Sequence, residues 1–196
     1  NKLIRREAFS TAIQYFSYAL AGIPYMGVGR NLSYKKTIFY RHKGFSAHNH
    51  VLSGDDDLFI NMAATKINTK INIDADAFTL SEPAKTWSQY AKQKKRHYST
   101  AKYYKPLHKF LLSVYAFTHF LFYPLLVASI ILYNWKFALI VFGVRFIIQS
   151  IVYFLGMKKL KEADLFPYFL LLDIGMFFYY LIFAFSIFKK PSNTWK

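Results

Sequence analysis

The sequence contains no cysteine, which excludes a disulfide framework, a thiolate zinc site and a cysteine nucleophile. It also lacks an initiator methionine at Asn1, a short apolar signal core and a small-residue cleavage site. We therefore expect the chain to be a fragment of a longer protein, with its first twenty residues forming a helix from the middle of a domain. The lack of cysteine is consistent with the cytoplasm.

Acidic residues are also scarce, with 10 Asp and Glu against 26 Lys and Arg, for a net charge of +16. The part before Phe110 holds 18 of the basic and 7 of the acidic residues, so its charge is +11 and that of the remainder is +5. A basic segment of this kind attracts anionic lipid head groups, nucleotide phosphates or nucleic acid. Charge alone does not choose among these partners.

The pattern of apolar residues before Phe110 predicts both helices and strands. Steps of three and four predict a helix over residues 2–20. Strands are predicted around residues 31–34, and at residues 71–78, where apolar residues alternate. A basic amphipathic helix is predicted over residues 84–99, beginning near Pro83 and able to lie along a membrane surface.

Three apolar runs follow, at residues 110–133, 137–155 and 165–188. Each is long enough to cross a hydrocarbon layer of roughly 30 Å. The lysines at residues 158–161 are expected on the cytoplasmic side, together with the basic part of the chain. The sequence therefore predicts a multi-pass membrane protein.

Polar side chains interrupt the second and third of these runs. Arg145 and Asp173 lie near the middle of the two runs, and a charge in hydrocarbon needs a partner. We expect a buried pair between the two helices. The alternative is a polar lining for a lipid or glycan path.

An acidic turn is the first candidate site. Gly54 is followed by Asp55, Asp56 and Asp57, and a helix is expected at residues 58–66 after them. Repulsion among three adjacent carboxylates should raise the pKa of at least one, and such a group can take a proton from an alcohol. The alternatives are a solvated turn, a helix cap, or a site for magnesium or manganese.

A basic motif on the amphipathic helix, Gln93-Lys94-Lys95-Arg96-His97, is the second candidate site. Gln93 and Arg96 are three residues apart and share one helix face. There a guanidinium can bind a pyrophosphate and an amide can orient a sugar hydroxyl. The alternative is a solvated or lipid-facing surface.

Three segments, YMGVGRNLSYKK, SGDDDLFIN and QKKRHYST, occur in this order ahead of the apolar runs. Together they resemble motifs of the membrane-bound family-2 glycosyltransferases of Bacteroidetes-type bacteria. The resemblance implies an α/β fold, with the C-terminal half of a GT-A, Rossmann-like domain preceding an all-α transmembrane region of three helices. The implied parts are the catalytic domain at 1–80, an interfacial helix at 81–105 and transmembrane helices at 106–190.

The resemblance also implies roles for individual residues. Asp56 corresponds to the general base that deprotonates the acceptor hydroxyl, and Asp55 to its acidic companion. His97 stands where the family has tryptophan. The implied substrate-binding residues are Gly29, Arg30, Asn31, Gln93, Arg96 and His97.

The activity implied by the resemblance is that of an inverting hexosyltransferase in polysaccharide or glycolipid biosynthesis. The expected donor is a nucleotide-sugar, and the expected cofactor is Mg²⁺ or Mn²⁺, held by an Asp-x-Asp in an N-terminal half that is missing here. Asp74-Ala75-Asp76 has that spelling but follows the base motif, so we expect no metal ligand in this chain, which should be inactive alone. The expected partners are a lipid-linked or glycan acceptor and the bilayer of the cell inner membrane, with no nucleic acid.

Two other functional classes remain open. One is a non-catalytic basic membrane anchor that binds anionic lipid or nucleic acid. The other is a small transporter component, indicated by the polar residues in the apolar runs.

Two further groups are interpreted structurally. His42, His48 and His50 are expected in a polar loop or acceptor wall rather than a metal site. Tyr103 and Tyr104 are expected to mark the inner membrane interface.

Overall fold

The structure, a computed structural model, describes residues 2–51 and 53–183, and all regular secondary structure in these two ranges is helical. Short 3-10 turns lie at Gly29–Asn31, Ala75–Ala77, Ala101–Tyr103 and Ala163–Tyr168. The α-helices are α1 (Lys2–Leu20), α2 (Lys36–Arg41), α3 (Asp55–Ala63), α4 (Trp87–Thr100), α5 (Pro106–Leu132), α6 (Trp135–Lys159) and α7 (Phe169–Phe183).

The predicted α/β fold is wrong for the described residues. Residues 2–51 and 53–183 contain no strand, so neither residues 31–34 nor residues 71–78 form one, and no half of a GT-A, Rossmann-like domain is present there. Asp74 (φ −65°, ψ 143°) and Phe78 (φ −75°, ψ 130°) do have extended backbones. The Ala75–Ala77 3-10 turn interrupts the segment between them, and a strand also needs a neighbour to bond with, which no described segment supplies.

The first predicted helix is confirmed, because α1 spans the predicted residues 2–20. The predicted amphipathic helix is also found, but α4 begins at Trp87 rather than near Pro83. Thr86 accepts a bond from the Gln89 amide at 3.2 Å, and the Gln89 side chain accepts one from the Thr86 amide at 3.3 Å. This capping box satisfies two main-chain donors and therefore sets the start of the helix.

Residues up to Thr11 and Leu111–Ile182 form one compact unit. Among the described residues, three helical segments are long and apolar enough to cross a membrane, namely α5, α6 and Ala163–Phe183. The prediction of three such helices is confirmed to that extent, and the part of the third predicted run beyond Phe183 lies outside the described residues. Ile140, Ile147 and Ile151 on α6 are more than half exposed, as suits contact with lipid.

One carboxylate, Asp173 on α7, joins three other helices of this unit. Its Oδ2 accepts bonds from Arg145 Nη2 on α6 at 2.9 Å and from the Tyr123 hydroxyl on α5 at 2.7 Å. Its Oδ1 lies 3.4 Å from Nη2 of Arg6 on α1. Asp173 and Arg6 are both only 1% exposed, and a buried carboxylate needs such partners. The predicted pair between Arg145 and Asp173 is confirmed, and Arg6 and Tyr123 complete it.

The start of α1 is held by polar contacts to the connection between α6 and α7. Arg5 donates to Glu162 at 2.8 Å and to Asp164 at 2.6 Å. The Lys2 ammonium lies 3.3 Å from the centre of the Tyr168 ring, a cation–π contact. These contacts hold the connection between α6 and α7 against the start of α1.

The second unit contains Ala12–Phe110 and Phe183. Part of its core is aromatic and centres on Phe59 of α3, which is almost completely buried. The rings of Tyr34, Phe39 and Phe45 lie 4.7, 5.7 and 6.0 Å from that of Phe59. These contacts hold the chain around α2 against α3.

Asn61, also on α3 and buried, makes the main polar connection in this unit. Its Nδ2 donates to the Tyr25 carbonyl and to Nδ1 of His108, each at 2.9 Å. Its Oδ1 accepts a bond from the Lys105 amide at 2.9 Å. Because the buried amide is satisfied on both sides, it fixes α3 to the loop after α1 and to the start of α5.

Candidate functional site

The acidic turn forms the start of α3, with Gly54 as its N-cap residue and all three aspartates in the first turn. The amide groups at a helix N-terminus favour negative charge there. Gly54 has φ 78°, and a Cβ at this position would lie 2.6 Å from Cγ2 of Thr100. Glycine is therefore required both by the backbone angle and by the close approach of the end of α4.

Asp56 is held by main-chain donors. Its Oδ2 accepts a bond from the Gly29 amide at 2.6 Å, and its Oδ1 accepts one from the Asp57 amide at 2.9 Å. A Cβ on Gly29 would lie 2.9 Å from Oδ2, so a side chain would displace the carboxylate. The structure thus brings together two predicted site residues that are 27 positions apart in sequence.

The two residues after Gly29 bond to the extended segment that precedes α4. Arg30 donates to the Ser81 hydroxyl, and Asn31 donates from Nδ2 to the Ala77 carbonyl at 2.9 Å. Both side chains belong to exposed residues. The predicted substrate-binding positions Arg30 and Asn31 therefore lie at the surface, next to the residue that binds Asp56.

The basic motif lies on α4. Gln93, Arg96 and Thr100 follow one another at steps of three and four, and so share a helix face. Gln93 and Arg96 are partly buried, whereas His97 is exposed. Thr100, one helical turn after Arg96, lies against Gly54. The α4 helix therefore contacts the acidic turn at Thr100.

Asp57, in the same turn of α3, is buried next to Tyr104. Burial, followed by the charge of Asp56, raises the pKa of Asp57 to about 7. Burial also raises the pKa of Tyr104 well above its usual value. Tyr104 is only 6% exposed, so the expectation that it marks the membrane interface is wrong, whereas Tyr103 is 43% exposed.

Asp55 is exposed and faces His48 on the preceding loop. Burial lowers the pKa of the His48 ring, while Asp55 partly opposes that change. The loop that carries the histidines therefore reaches the acidic turn through His48.

The carboxylates and histidines do not form a metal site in the part of the chain that the structure describes. Among residues 2–51 and 53–183, no group of three His, Cys, Asp or Glu side chains is close enough to hold an ion. A Mg²⁺ or Mn²⁺ ion normally requires several oxygen ligands. The acidic turn is therefore interpreted without a metal.

The arrangement is suited to proton abstraction from a hydroxyl. Each oxygen of Asp56 accepts one main-chain bond and retains capacity for another, and the side chain is only partly buried. A partly buried carboxylate with this remaining capacity can act as a general base toward a hydroxyl.

Sequence reasoning identified Asp56 and Gly29, named Asp57 only as a member of the acidic turn and Tyr104 only as an interface residue, and missed Thr100. A helix start placed at Asp55 would have indicated that Asp57 faces the core. Asp57 and Asn61 would then be four residues apart on one face, beside the apolar Leu58.

No known protein family, no curated protein and no solved structure matches the chain. The resemblance to family-2 glycosyltransferases therefore stays a prediction based on three sequence motifs.

Proposed function

We propose that the chain belongs to a membrane-bound, inverting glycosyltransferase of family 2, which moves a sugar from a nucleotide-sugar to an acceptor hydroxyl at the membrane. The observation that carries this proposal is the 2.6 Å bond between the Gly29 amide and Asp56, next to the contact between Gly54 and Thr100. Gly29 of the first motif thus bonds to Asp56 of the second, and Thr100 of the third lies against Gly54, two residues before Asp56. The hexose and the acceptor remain open.

In the proposed reaction, Asp56 takes the proton of the acceptor hydroxyl while the acceptor oxygen attacks the anomeric carbon of the donor sugar. The bond from that carbon to the nucleoside diphosphate breaks, and its electron pair leaves with the diphosphate. Arg96 neutralises the charge that develops there, and Gln93 orients the sugar. One displacement of this kind inverts the configuration at the anomeric carbon.

His97 occupies the position at which the family has tryptophan. It is exposed at the end of α4, so its imidazole can donate a hydrogen bond to the acceptor or stack on it. Arg30 and Asn31 would border the donor and acceptor from the other side of Asp56. Asp55 would add to the negative charge around the base.

The three apolar helices support a membrane-associated acceptor, either lipid-linked or a growing glycan. We place the enzyme in the cell inner membrane with the acidic turn on the cytoplasmic side, where nucleotide-sugars are made. Mg²⁺ or Mn²⁺ is the proposed cofactor, with ligands outside the described residues. No step above is assigned to the ion.

The proposal is tested with the full-length protein in membrane vesicles and a panel of labelled nucleotide-sugars. We expect transfer of label to a lipid-extractable or glycan product, and loss of that transfer in Asp56→Asn, which retains an oxygen to accept the Gly29 bond. General base catalysis contributes about 10²–10⁴-fold, so the loss should be of that size. Asp76→Asn, an equal charge change on an exposed residue of a 3-10 turn, is the matched control.

Retained transfer in Asp56→Asn would remove the residue from its proposed role. Failure of every donor, combined with salt-sensitive binding to anionic vesicles that tolerates Asp56→Asn, would favour the basic membrane anchor instead.

A further inference from the structure

The turn that follows α3 presents an apolar side chain to the outside. Ile67 is 97% exposed. The turn is closed by Asn68, whose Oδ1 accepts a bond from the Thr65 amide at 2.7 Å and whose Nδ2 donates to the Ala63 carbonyl at 3.0 Å. The Thr65 hydroxyl accepts a bond from the Asn68 amide at 3.3 Å. These bonds fix the chain on both sides of Ile67, so its exposure is a property of a defined turn.

The end of α1 lies beside this turn. Gly22 follows the helix with φ 82°, and a Cβ on it would lie 2.9 Å from Cδ of Lys66. The apolar stem of Lys66 therefore packs on the Gly22 backbone, while the residue as a whole remains exposed. Leu20, the last residue of α1, is 73% exposed. Two exposed apolar residues, Leu20 and Ile67, thus each lie within two positions of the contact between Gly22 and Lys66.

The end of α3 is also joined to the start of α5. The Lys105 amide donates to Oδ1 of Asn61 at 2.9 Å, and the Lys105 ammonium donates to the Met62 carbonyl at 3.3 Å. Near the start of α5, Leu107 is 54% exposed and Phe110 is 64% exposed. Because α5 is long and apolar enough to cross a membrane, its start marks the level of the membrane surface. The end of α3 lies beside that level.

The charge around the turn has one sign. Residues 58–73 and 83–161 contain no Asp or Glu. Lys66 and Lys70 lie on either side of Ile67, and both are exposed. An apolar side chain between lysines fits a membrane interface, where the side chain enters the head-group region and the ammonium groups meet lipid phosphates.

Leu80 shows that exposure alone is not the distinguishing feature. It is 98% exposed, as fully as Ile67. Its charged neighbours in sequence on either side include Asp74, Asp76 and Glu82, which an anionic membrane repels. The two positions therefore differ in the sign of the surrounding charge and not in the exposure of the apolar side chain.

We propose that Leu20, Lys66, Ile67 and Lys70 form a membrane-contact surface for the anionic lipids of the bilayer that α5 enters. Leu20 and Ile67 insert among the head groups, and the two lysines bind lipid phosphates. All four residues and the start of α5 belong to the second unit. The inference rests on the membrane crossing of α5 and does not require the sugar transfer.

The contact would set the position of the acidic turn above the membrane. That turn forms the opposite end of α3, a helix of 9 residues. At about 1.5 Å per residue, the acidic turn lies about 13 Å along the helix from the membrane-contact surface. A fixed height of this kind suits a site that acts on a membrane-associated acceptor.

The first measurement is fluorescence quenching by lipids. The chain has no cysteine, so a bimane probe can be attached at one introduced cysteine. The full-length protein is placed in phosphatidylglycerol vesicles that contain lipids with a nitroxide on the head group or on a shallow acyl carbon. We expect quenching of Ile67→Cys and of the reference Leu107→Cys, and little quenching of the matched control Leu80→Cys.

Three results of that measurement would overturn the proposal. Quenching at Leu107 without quenching at Ile67 would show that α5 enters the membrane while the turn stays in water. Equal quenching at Ile67 and Leu80 would show that the lysines do not select the contact. Blue-shifted emission at Ile67 without quenching by either lipid would assign the surface to a protein partner.

The second measurement tests the lysines. A lysine near an anionic surface favours contact about fivefold. In the Ile67→Cys protein, Lys70→Gln should therefore lower the ratio of membrane-bound to free turn about fivefold in phosphatidylglycerol vesicles and leave it unchanged in phosphatidylcholine vesicles. Lys85→Gln, the same charge change near Leu80, is the matched control. Quenching that depends on neither lipid charge nor Lys70 would refute a surface for anionic lipids.

Neither measurement uses a nucleotide-sugar. A protein that shows the expected quenching but transfers no sugar from any donor would keep the membrane-contact surface and lose the proposed function. An active enzyme without quenching at Ile67 would lose the membrane-contact surface alone.

Discussion

The Gly29 amide donates to Oδ2 of Asp56 at 2.6 Å, and the Cα of Gly29 approaches so closely that a Cβ would lie 2.9 Å from the same oxygen. The glycine therefore does two things: its amide fixes the carboxylate, and its lack of a side chain leaves room for it. The atom that a side chain would displace is the free end of Asp56 rather than the backbone. Activity and stability should for this reason respond differently at Gly29.

Gly29→Ala should lower sugar transfer without unfolding the protein. The new methyl group would push the Asp56 carboxylate aside, and a displacement of about 1 Å can cost up to about 100-fold in rate. The free energy of unfolding should change by less than about 1 kcal/mol, because Gly29 is exposed and the displaced atom can move. The rate is measured with the full-length enzyme, and stability by thermal unfolding in detergent.

Gly143→Ala in α6 is the matched control for that experiment, because a Cβ there would meet no atom within 4 Å. A Gly29→Ala enzyme with wild-type turnover would show that the position of Asp56 does not limit the reaction.

Gly54→Ala should instead destabilise the fold. The left-handed φ of 78° strains any residue with a Cβ, and the Cβ would lie 2.6 Å from Cγ2 of Thr100. Together these effects should cost about 2–4 kcal/mol in the free energy of unfolding. Thr100→Ser removes Cγ2 and should return about 1 kcal/mol of this in the double variant. Additive effects of the two substitutions in a double-mutant cycle would contradict the close contact.

Much of the helical structure could be predicted from the sequence, because helices depend on local periodicity. The limits of α1 follow from apolar spacing, and the three long apolar runs appear as helices. The start of α4 was misplaced because Pro83 is only a permissive signal, whereas Thr86 and Gln89 form two specific hydrogen bonds. The spacing of Thr86 and Gln89 can be recognised in the sequence as a capping box, which is a more specific signal for a helix start than the proline.

The strands could not be judged in the same way. Alternation at residues 71–78 predicts a strand, but the backbone there contains the Ala75–Ala77 3-10 turn, and whether an extended segment pairs depends on what lies beside it. Likewise, the sequence identifies Asp56 and Gly29 as members of separate motifs, while the contact between them depends on the tertiary fold. Tyr104 was misassigned because an aromatic residue before an apolar helix looks the same whether it faces lipid or, as here, a buried carboxyl.

Asp57 should make the protein less stable as the pH rises from about 4 to about 7. Its pKa in the folded state is about 7, against 3.8 for a free carboxyl. In that window the folded state keeps a proton that the unfolded state has released, so stability is complete below about pH 4, falls through the window and levels off above about pH 7. The loss at pH 8 corresponds to at most about 4 kcal/mol.

The measurement compares chemical unfolding of wild type and Asp57→Asn in detergent at pH 5, 6, 7 and 8. All other carboxyls titrate in both proteins, so the difference between the curves isolates Asp57. We expect Asp57→Asn to gain stability relative to wild type as the pH rises, and Asp76→Asn, an exposed control, to follow wild type. Parallel curves for wild type and Asp57→Asn would show that the carboxyl is not held neutral.

Loss of Asp173 should destabilise the helices that contain the apolar runs. In Asp173→Asn the guanidinium groups of Arg6 and Arg145 lose the carboxylate that compensates them, and breaking a buried pair in this way costs about 3–5 kcal/mol. Asp164→Asn is the matched control, because Asp164 is 58% exposed and its solvent-screened pair with Arg5 should contribute little to stability. Thermal unfolding of each variant in detergent measures the difference.

The same variant separates the transferase from the transporter alternative. If Asp173 has a structural role, Asp173→Asn should lower the melting temperature, and enzyme assayed well below that temperature should still transfer sugar. Replacing Arg145 with glutamine in the same chain removes one of the two uncompensated charges and should restore part of the lost stability.

A transporter requires the opposite pattern. Its solute flux depends on Arg145 and Asp173 even where the fold is intact, and the flux persists in Asp56→Asn. Solute flux and sugar transfer measured on the same vesicles distinguish the two alternatives. A transferase requires Asp56 and tolerates loss of Asp173, whereas a transporter requires Asp173 and tolerates loss of Asp56.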